Sequence, residues 1–327
     1  MLRVYKIWIF FWMMIGALFC LSQAFAQGLQ NEIKFEPADK QQVFEDGVYE
    51  EYYPDGRTKR LITYKDNLPN GVFNVFYEDG TLEGEGLYVN GVLHGEAKTY
   101  YPNSLIKTHM EYVNGKLNGN ARSFYMDGTI KTRSKYQADK LHGIYEEFRP
   151  NGMLHYAREY INGNVHGIAN EYSDEGYLLR STTFENGRQK GIIREYYATG
   201  RVKRAFEAID GVPNGTNKEY YDTGELKIVS TYENGKLGGE KIQEYYQTGE
   251  LLREVDIKIG LRNGQYKEFY KNGNIKISGF YYNDKRQGVF KTYRNNGTIE
   301  NEKVFERNVK LSSKDYDEYG RLVIASP

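Results

Sequence analysis

The sequence is poor in cysteine and carries no net charge. Among its 327 residues Cys20 is the only cysteine, and 44 basic residues balance 44 acidic ones. A chain with one cysteine forms no internal disulfide, so its stability must come from packing and hydrogen bonding. Without an excess of positive charge it has little to neutralise a phosphate backbone, which argues against nucleic acid as a partner.

Only one long hydrophobic run is present, and it lies at the N-terminus. Arg3 and Lys6 precede an apolar stretch from Ile7 to Leu21, and Ala24-Phe25-Ala26 has the small-x-small pattern of a cleavage site. This order is typical of a secretory signal peptide. We therefore expect residues 1–26 to be removed after Ala26 and the protein to be exported to the periplasm, the cell surface or the medium. An uncleaved anchor is the alternative, because the run approaches the length that spans a bilayer. Cleavage would leave 42 basic and 44 acidic residues and no cysteine.

One repeated pattern dominates the rest of the chain. A glycine, here called the frame glycine, recurs every 24 residues, with a single step of 25, at Gly47, Gly71, Gly95, Gly119, Gly143, Gly167, Gly191, Gly215, Gly239, Gly264 and Gly288. Self-similarity at a fixed period of this length indicates a repeat array, in which each unit contacts mainly its neighbours.

An aromatic residue follows each frame glycine by five positions, or by six in one repeat. This first aromatic column, which we expect to pack between repeats, comprises Tyr52, Phe76, Tyr100, Phe124, Phe148, Tyr172, Tyr196, Tyr220, Tyr245, Phe269 and Tyr293. Its aromatic rings could also stack on sugars, but inter-repeat packing is the simpler role.

A turn glycine lies four residues after each of these aromatics, except in the third repeat, where Ser104 replaces it. The turn glycines are Gly56, Gly80, Gly128, Gly152, Gly176, Gly200, Gly224, Gly249, Gly273 and Gly297. Preceding pairs such as Pro54-Asp55 predict a type I turn closed by a left-handed glycine, that is, a three-residue hairpin loop.

The loop length predicts the strand register. A loop over 54–56 places Tyr52 opposite Thr58 and Glu51 opposite Lys59. In other repeats the first pair becomes aromatic–aliphatic, as in Phe76–Leu82, Phe124–Ile130, Tyr220–Leu226 and Phe269–Ile275, and the second becomes Glu195–Lys203, Glu219–Lys227 and Glu268–Lys276. Cross-strand pairs of both kinds stabilise a sheet.

A second aromatic column lies six residues beyond the aliphatic position, at Tyr64, Tyr88, Tyr112, Tyr136, Tyr160, Phe184, Tyr232, Tyr281 and Phe305. Because six is even, we expect it to share a face with the first column. A second turn follows, often Asn-Gly. The pattern predicts an all-β fold, an elongated single-sheet array of about eleven antiparallel hairpins and about 22 strands.

These motifs resemble a known repeat family. Tyr88-Val89-Asn90-Gly91-Val92-Leu93-His94-Gly95 is similar to the Tyr-x-x-Gly-x-x-x-Gly core of the MORN repeat, and the added hairpin resembles the 24-residue variant common in bacteria. The resemblance implies a hairpin array used for protein or membrane contacts, with no shared catalytic residues. Ala208 and Ile257 depart from it by replacing the second aromatic, and Ile259-Gly260 replaces Asn-Gly. We expect the ladder to bend at these places.

The organisation we expect is a signal peptide over 1–26, a polar leader over 27–46, eleven hairpin repeats over 47–311 and a degraded half-repeat cap over 312–327. No Pro/Ser-rich linker or charge block divides the array. Repeats override the two-domain expectation that the length alone would give.

No residue set predicts catalysis, a metal or a cofactor. His94, His142 and His166 each precede a frame glycine, but neighbouring repeats would hold them about 9.6 Å apart, too far for one zinc ion. A glutamate column, Glu147, Glu171, Glu195, Glu219, Glu244 and Glu268, repeats with the array, whereas an active site breaks symmetry. We therefore expect a non-enzymatic protein.

The function that we expect is an exported scaffold that binds a protein at the bacterial cell envelope, because many equivalent hairpins suit extended contacts. The family resemblance adds an alternative, since the bacterial variant includes proteins labelled as antitoxins that neutralise a partner toxin. Binding of envelope polysaccharide or lipid is a further alternative. A homodimer would cover the apolar face of a thin sheet.

Overall fold

The structure is a computed structural model and describes residues 43–326. The expected signal peptide and residues 27–42 of the leader lie outside the described residues. Within 43–326 the chain forms 26 strands and no helix, and the strands pair antiparallel. The fold is therefore the all-β hairpin array that the repeat predicts. The chain splits into two compact units, one that ends at Gly143 and one that begins at Ile144.

Ten strands form the sheet of the first unit. Each pairs with the next along the chain, except that β6 pairs with β4 rather than with β5. They are β1 (Gly47–Tyr52), β2 (Thr58–Lys65), β3 (Leu68–Phe76), β4 (Leu82–Val89), β5 (Val92–Leu93), β6 (Gly95–Tyr100), β7 (Ile106–Val113), β8 (Lys116–Phe124), β9 (Ile130–Gln137) and β10 (Lys140–Leu141).

The second unit has the same meander, with sequential antiparallel pairing from β12 to β26. Its strands are β11 (Gly143–Phe148), β12 (Leu154–Ile161), β13 (Asn164–Tyr172), β14 (Leu178–Glu185), β15 (Arg188–Tyr196), β16 (Val202–Ile209), β17 (Val212–Tyr220), β18 (Leu226–Glu233), β19 (Lys236–Tyr245), β20 (Leu251–Lys258), β21 (Leu261–Phe269), β22 (Ile275–Tyr282), β23 (Lys285–Tyr293), β24 (Ile299–Glu306), β25 (Val309–Tyr316) and β26 (Leu322–Ser326).

The strand count exceeds the expected 22 for two reasons. His94 and His142 each interrupt a strand, which divides two strands into β5 and β6, and into β10 and β11. In addition, the C-terminal segment forms a further hairpin, β25–β26, with the same loop as the repeats, since Asp317 N donates to Arg321 O. Pairing also continues through the departures at Ala208 and Ile257, on strands β16 and β20.

The three-residue loops are confirmed. In the first repeat Tyr53 N donates to Arg57 O at 2.7 Å and Gly56 N donates to Tyr53 O at 2.9 Å. The pairs Tyr52–Thr58, Phe76–Leu82, Phe124–Ile130, Tyr220–Leu226 and Phe269–Ile275 are all present.

The predicted Glu–Lys backbone pairs are wrong. A β-bulge directly after the aromatic–aliphatic pair inserts one extra residue into the second strand, so that Glu51 lies opposite Arg60 rather than Lys59. The same shift places Glu195 opposite Arg204, Glu219 opposite Ile228 and Glu268 opposite Ile277. Lysine side chains still reach the carboxylates in two repeats, with Lys276 Nζ 2.7 Å from Glu268 Oε1 and Lys59 Nζ 3.0 Å from Glu51 Oε1.

The bulge also overturns the expectation that both aromatic columns share a face. One inserted residue reverses the in–out alternation of a strand, so Thr58 and Tyr64 face opposite sides although they are six residues apart. Tyr64 is 3% exposed, whereas Tyr52, the partner of Thr58, is 54% exposed. We call the side that carries the second column the core face and the other side the open face.

The core face buries the second aromatic column against residues two positions after the frame glycines. Tyr64, Phe73 and Tyr88 pack with Ile62 in one cluster of the first unit. In the second unit Ile193, Phe206 and Ala208 form another. Beside this apolar stripe the first unit carries paired hydroxyls, with Thr99 Oγ1 2.6 Å from Thr108 Oγ1.

The frame glycines lie in wide bulges that join one hairpin to the next. Between the pairs Ile62–Phe73 and Tyr64–Pro69, the three residues 70–72 lie opposite the single residue Thr63. Gly71 adopts φ +135°, and a Cβ there would lie 2.8 Å from Thr63 Cβ. Both the backbone conformation and the close approach therefore require glycine at this position.

Candidate functional site: the open face

The first aromatic column lies on the open face, outside the buried core. Its hydroxyls are held by side chains of the same face: Tyr100 Oη donates to Glu85 Oε1 at 2.6 Å, and Tyr245 Oη lies 3.4 Å from Gln243 Oε1. Burial, together with the bond to the Glu85 carboxylate, raises the pKa of Tyr100 to about 12. The hydroxyl therefore remains a donor at neutral pH. The column forms a half-buried border of the open face.

The predicted turn glycines lie at the rim, where the three-residue loops project. All ten adopt positive φ, between 80° and 106°. Ser104 occupies the same position with φ 65°. The glycines fix the loop conformation and have no side chain to offer a ligand.

A tyrosine column that the sequence reasoning missed follows the first one by a single residue. Tyr53 Oη donates to the backbone carbonyl of Phe76 at 2.7 Å, one repeat further on. The same bond joins Tyr77 to Tyr100, Tyr101 to Phe124, Tyr197 to Tyr220, Tyr221 to Tyr245, Tyr246 to Phe269 and Tyr270 to Tyr293. Arg149 and Arg294 replace the tyrosine in two repeats and donate to the equivalent carbonyls. The Tyr-Tyr doublets in the sequence were the available signal.

The other edge of the array is tied between repeats by the backbone. The second turns adopt positive φ at both central residues, as in Asn90 and Gly91, which is a type I′ geometry. Gly91 N donates to Pro69 O at 2.8 Å, and Gly235 N donates to Pro213 O at 2.8 Å. Each hairpin is thus fastened to a neighbour at both ends, which leaves the open face between the two rims.

The glutamate column lies on the core face and is matched by arginines. Arg180 lies between Glu171 and Glu195 in the strand register, with Nη2 2.7 Å from Glu195 Oε1. Arg253 lies between Glu244 and Glu268 in the same way, 2.7 Å from Glu244. Carboxylates alternating with guanidinium groups along a ladder act as structural pairs.

The histidines lie apart from one another. His109 Nε2 is 3.2 Å from Glu96 Oε2, and the His155 ring contacts that of Tyr156, with centroids 3.8 Å apart and planes tilted by 39°. His94 and His142 donate their backbone N–H groups to Leu87 O and Lys135 O across the sheet. Within residues 43–326 no group of three or more His, Cys, Asp or Glu residues is arranged to hold a metal ion.

A hollow of about 760 Å³ lies on the open face of the second unit. Ala205 forms its floor, and its walls include Ile192, Arg194, Lys218 and Tyr220. Ala205 lies directly between Arg194 and Lys218 in the strand register. Because the side chain of Ala205 is only a methyl group, the two cations stand on either side of a shallow depression.

A row of exposed isoleucines lies on the open face, and its last member, Ile192, lines this hollow. Ile144, Ile168 and Ile192 occur one residue after successive frame glycines and are 64%, 58% and 38% exposed. An aliphatic row of this kind on a sheet surface is typical of a contact site. In the described part of the chain no helix is long and apolar enough to cross a membrane.

Comparison with known families agrees with this geometry. The family model described as MORN repeat variant matches residues 45–66, 69–90, 93–114, 141–162, 213–237 and 262–284. No curated protein matches the chain. Between the matched segments, strands such as β14–β16 keep the same loops and the same bulge. The structural repeat therefore extends beyond the segments that the family model matches.

Proposed function

Because the chain is a MORN-repeat protein, we propose that it is an exported, non-catalytic scaffold that binds a partner protein at the bacterial cell envelope. MORN repeats are in general modules for protein or membrane interaction. The observation that supports a protein partner is the row of exposed isoleucines, Ile144, Ile168 and Ile192, the last of which lines the hollow over Ala205.

The composition of the open face supports a protein rather than a membrane as the partner. The open face of the second unit mixes aliphatic groups with charges of both signs, among them Arg194, Lys218 and Glu207. Protein interfaces have such a mixed composition, whereas anionic membranes attract clusters of basic residues. The proposed export follows from the charge, apolar run and Ala-x-Ala pattern of residues 1–26.

Site-directed photo-crosslinking in the source bacterium tests the binding face. A photoreactive residue at Ile168 is expected to give one discrete protein adduct. Ile259 is the matched control, since it is also an exposed isoleucine, 88% exposed, but lies at the tip of a second turn. Absence of an adduct from Ile144, Ile168 and Ile192 would overturn the proposal.

Cell fractionation with N-terminal sequencing tests the export. We expect the mature chain outside the cytoplasm with Gln27 as its first residue. A chain that starts at Met1 and remains in the cytosol would contradict this part of the proposal, whatever the crosslinking shows.

A further inference from the structure

The hollow over Ala205 has a pair of cations that lack the carboxylate neighbours found elsewhere in their row. On the open face the register runs Ser181, Arg194, Ala205, Lys218 and Val229 across adjacent strands. Within residues 43–326 neither Arg194 nor Lys218 makes an ion pair with another side chain. Two exposed cations therefore flank an alanine.

The same row further along the second unit is neutralised. Lys291 Nζ lies 2.9 Å from Glu302 Oε1. Lys267 is directly opposite Glu254 in the register. Arg194 and Lys218 thus differ from these lysines in their neighbours and not in their position on the strand.

The dimensions suit a carboxylate between the two cations. Adjacent strands are about 4.8 Å apart, so the Cα atoms of Arg194 and Lys218 are separated by about 10 Å. Both side chains are long enough to reach an anion centred over the methyl group of Ala205. Glu207 is the one acidic residue of the lining, and its carboxylate lies over Gly215, where a Cβ would collide with it.

The other residues that line the hollow indicate which kind of molecule supplies the carboxylate. Ile192, Val202 and Tyr220 add aliphatic and aromatic surface beside the cations. Anionic membranes are bound by clusters of four to eight basic residues, whereas this hollow has Arg194, Arg201 and Lys218. An extended peptide that alternates acidic and apolar side chains matches a lining in which a few charges lie beside apolar groups.

We propose that the hollow over Ala205 binds an acidic, extended segment of the partner protein and places its carboxylates between Arg194 and Lys218. This inference rests on the proposed scaffold function and assigns a chemistry to its partner. Thr216 and Tyr220 border the same depression and supply hydroxyl groups beside the charged pair.

Calorimetric titration of the full exported chain with a twelve-residue peptide of alternating glutamate and valine tests the site. We expect binding that weakens as salt is raised, and no binding of the lysine–valine counterpart. The double variant Arg194→Ser/Lys218→Ser should bind the acidic peptide at least tenfold more weakly.

The matched control is Lys267→Ser/Lys291→Ser, which removes the same charge from the same row and should bind as the native chain does. Equal weakening in both double variants would overturn the site, because net charge would then explain the effect, and so would no binding by the native chain. Co-sedimentation with phosphatidylglycerol vesicles that is lost only in the Arg194→Ser/Lys218→Ser variant would assign the hollow to lipid instead. A crosslinked protein from Ile168 together with a failed peptide titration would refute this inference alone.

Discussion

The ring of Phe290 occupies the space that a side chain at Gly279 would need. A Cβ built on Gly279 would fall well inside van der Waals contact with three carbons of that ring. Phe290 is 8% exposed and packs edge-on against Tyr281 and Phe305, with ring centroids 5.5 Å apart in both cases. Phe73 covers Gly86 in the same manner, at 2.6 Å. Large and small residues are thus paired across the core face.

Replacing Gly279 by alanine should destabilise the protein. The added methyl group overpacks the Phe290 cluster, which is expected to cost about 1–3 kcal/mol. Urea unfolding of the full chain measures the effect. Gly84→Ala is the control, because Gly84 has an ordinary φ and its nearest contacts lie at 3.5 Å or beyond. An unchanged midpoint for Gly279→Ala would show that the Phe290 ring moves freely.

Replacing Ile259 by asparagine should stabilise the protein. Ile259 adopts φ 53° at the first position of a type I′ turn and is 88% exposed. A β-branched residue in this left-handed region costs roughly 1–2 kcal/mol, and little packing is lost on removing it. Thermal unfolding should show a higher midpoint temperature for Ile259→Asn. It should show a lower one for the reciprocal Asn234→Ile, where the native φ is 48°. A fall in both variants would contradict the argument.

Removing the hydroxyl of Tyr246 should weaken the contact between neighbouring repeats. Its Oη donates to Phe269 O at 2.8 Å in a part-buried position, and a hydrogen bond of this kind contributes about 1 kcal/mol. Tyr246→Phe should lower the free energy of unfolding by that amount. Tyr245→Phe changes the adjacent residue, whose hydroxyl has only a 3.4 Å contact on the open face, and should have a smaller effect. Equal losses of unfolding free energy in the two variants would contradict a role of the Tyr246 hydroxyl in joining repeats.

His155 should make the second unit sensitive to acid. Burial, reinforced by the nearby Arg149 and Arg158 guanidinium groups, lowers the pKa of His155 to about 4 from the ordinary 6.5, although Glu147 Oε1 lies 3.9 Å from its Nδ1. Between these values the unfolded chain binds the proton more tightly, so stability present above pH 6.5 is lost as the pH falls toward 4.

Urea midpoints at pH 7 and pH 4.5 measure this loss. His155→Gln cannot take up the proton and should show a smaller difference between the two midpoints than the native chain. A variant that keeps the full native difference would assign the acid sensitivity to other groups.

Strand pairing next to the loops was predictable because turn chemistry is local. Gly56, and even Ser104, adopt the left-handed conformation that the three-residue loop requires. The cross-strand partner of Glu51 was not predictable from the two-residue alternation of a strand. The bulge after Thr58 inserts one residue, and no particular amino acid in the sequence indicates it. One inserted residue moves the following side chains to the opposite side of the sheet. The residues of the open face could therefore be assigned only from the structure.

The hollow over Ala205 was likewise not predictable from the sequence. In the sequence, Arg194, Ala205 and Lys218 are 11 and 13 residues apart, and Lys218 belongs to the repeat after the one that holds Arg194 and Ala205. Only the register of three neighbouring strands brings them together.

The sequence by itself determined the repeat, its period, both turns and the all-β fold, because glycine, asparagine and aromatic preferences act over a few residues. The tertiary structure decided which side of the sheet is buried, which tyrosines join the repeats and which cations lack a partner. Those properties depend on strand register, and register is set by bulges and by packing between repeats.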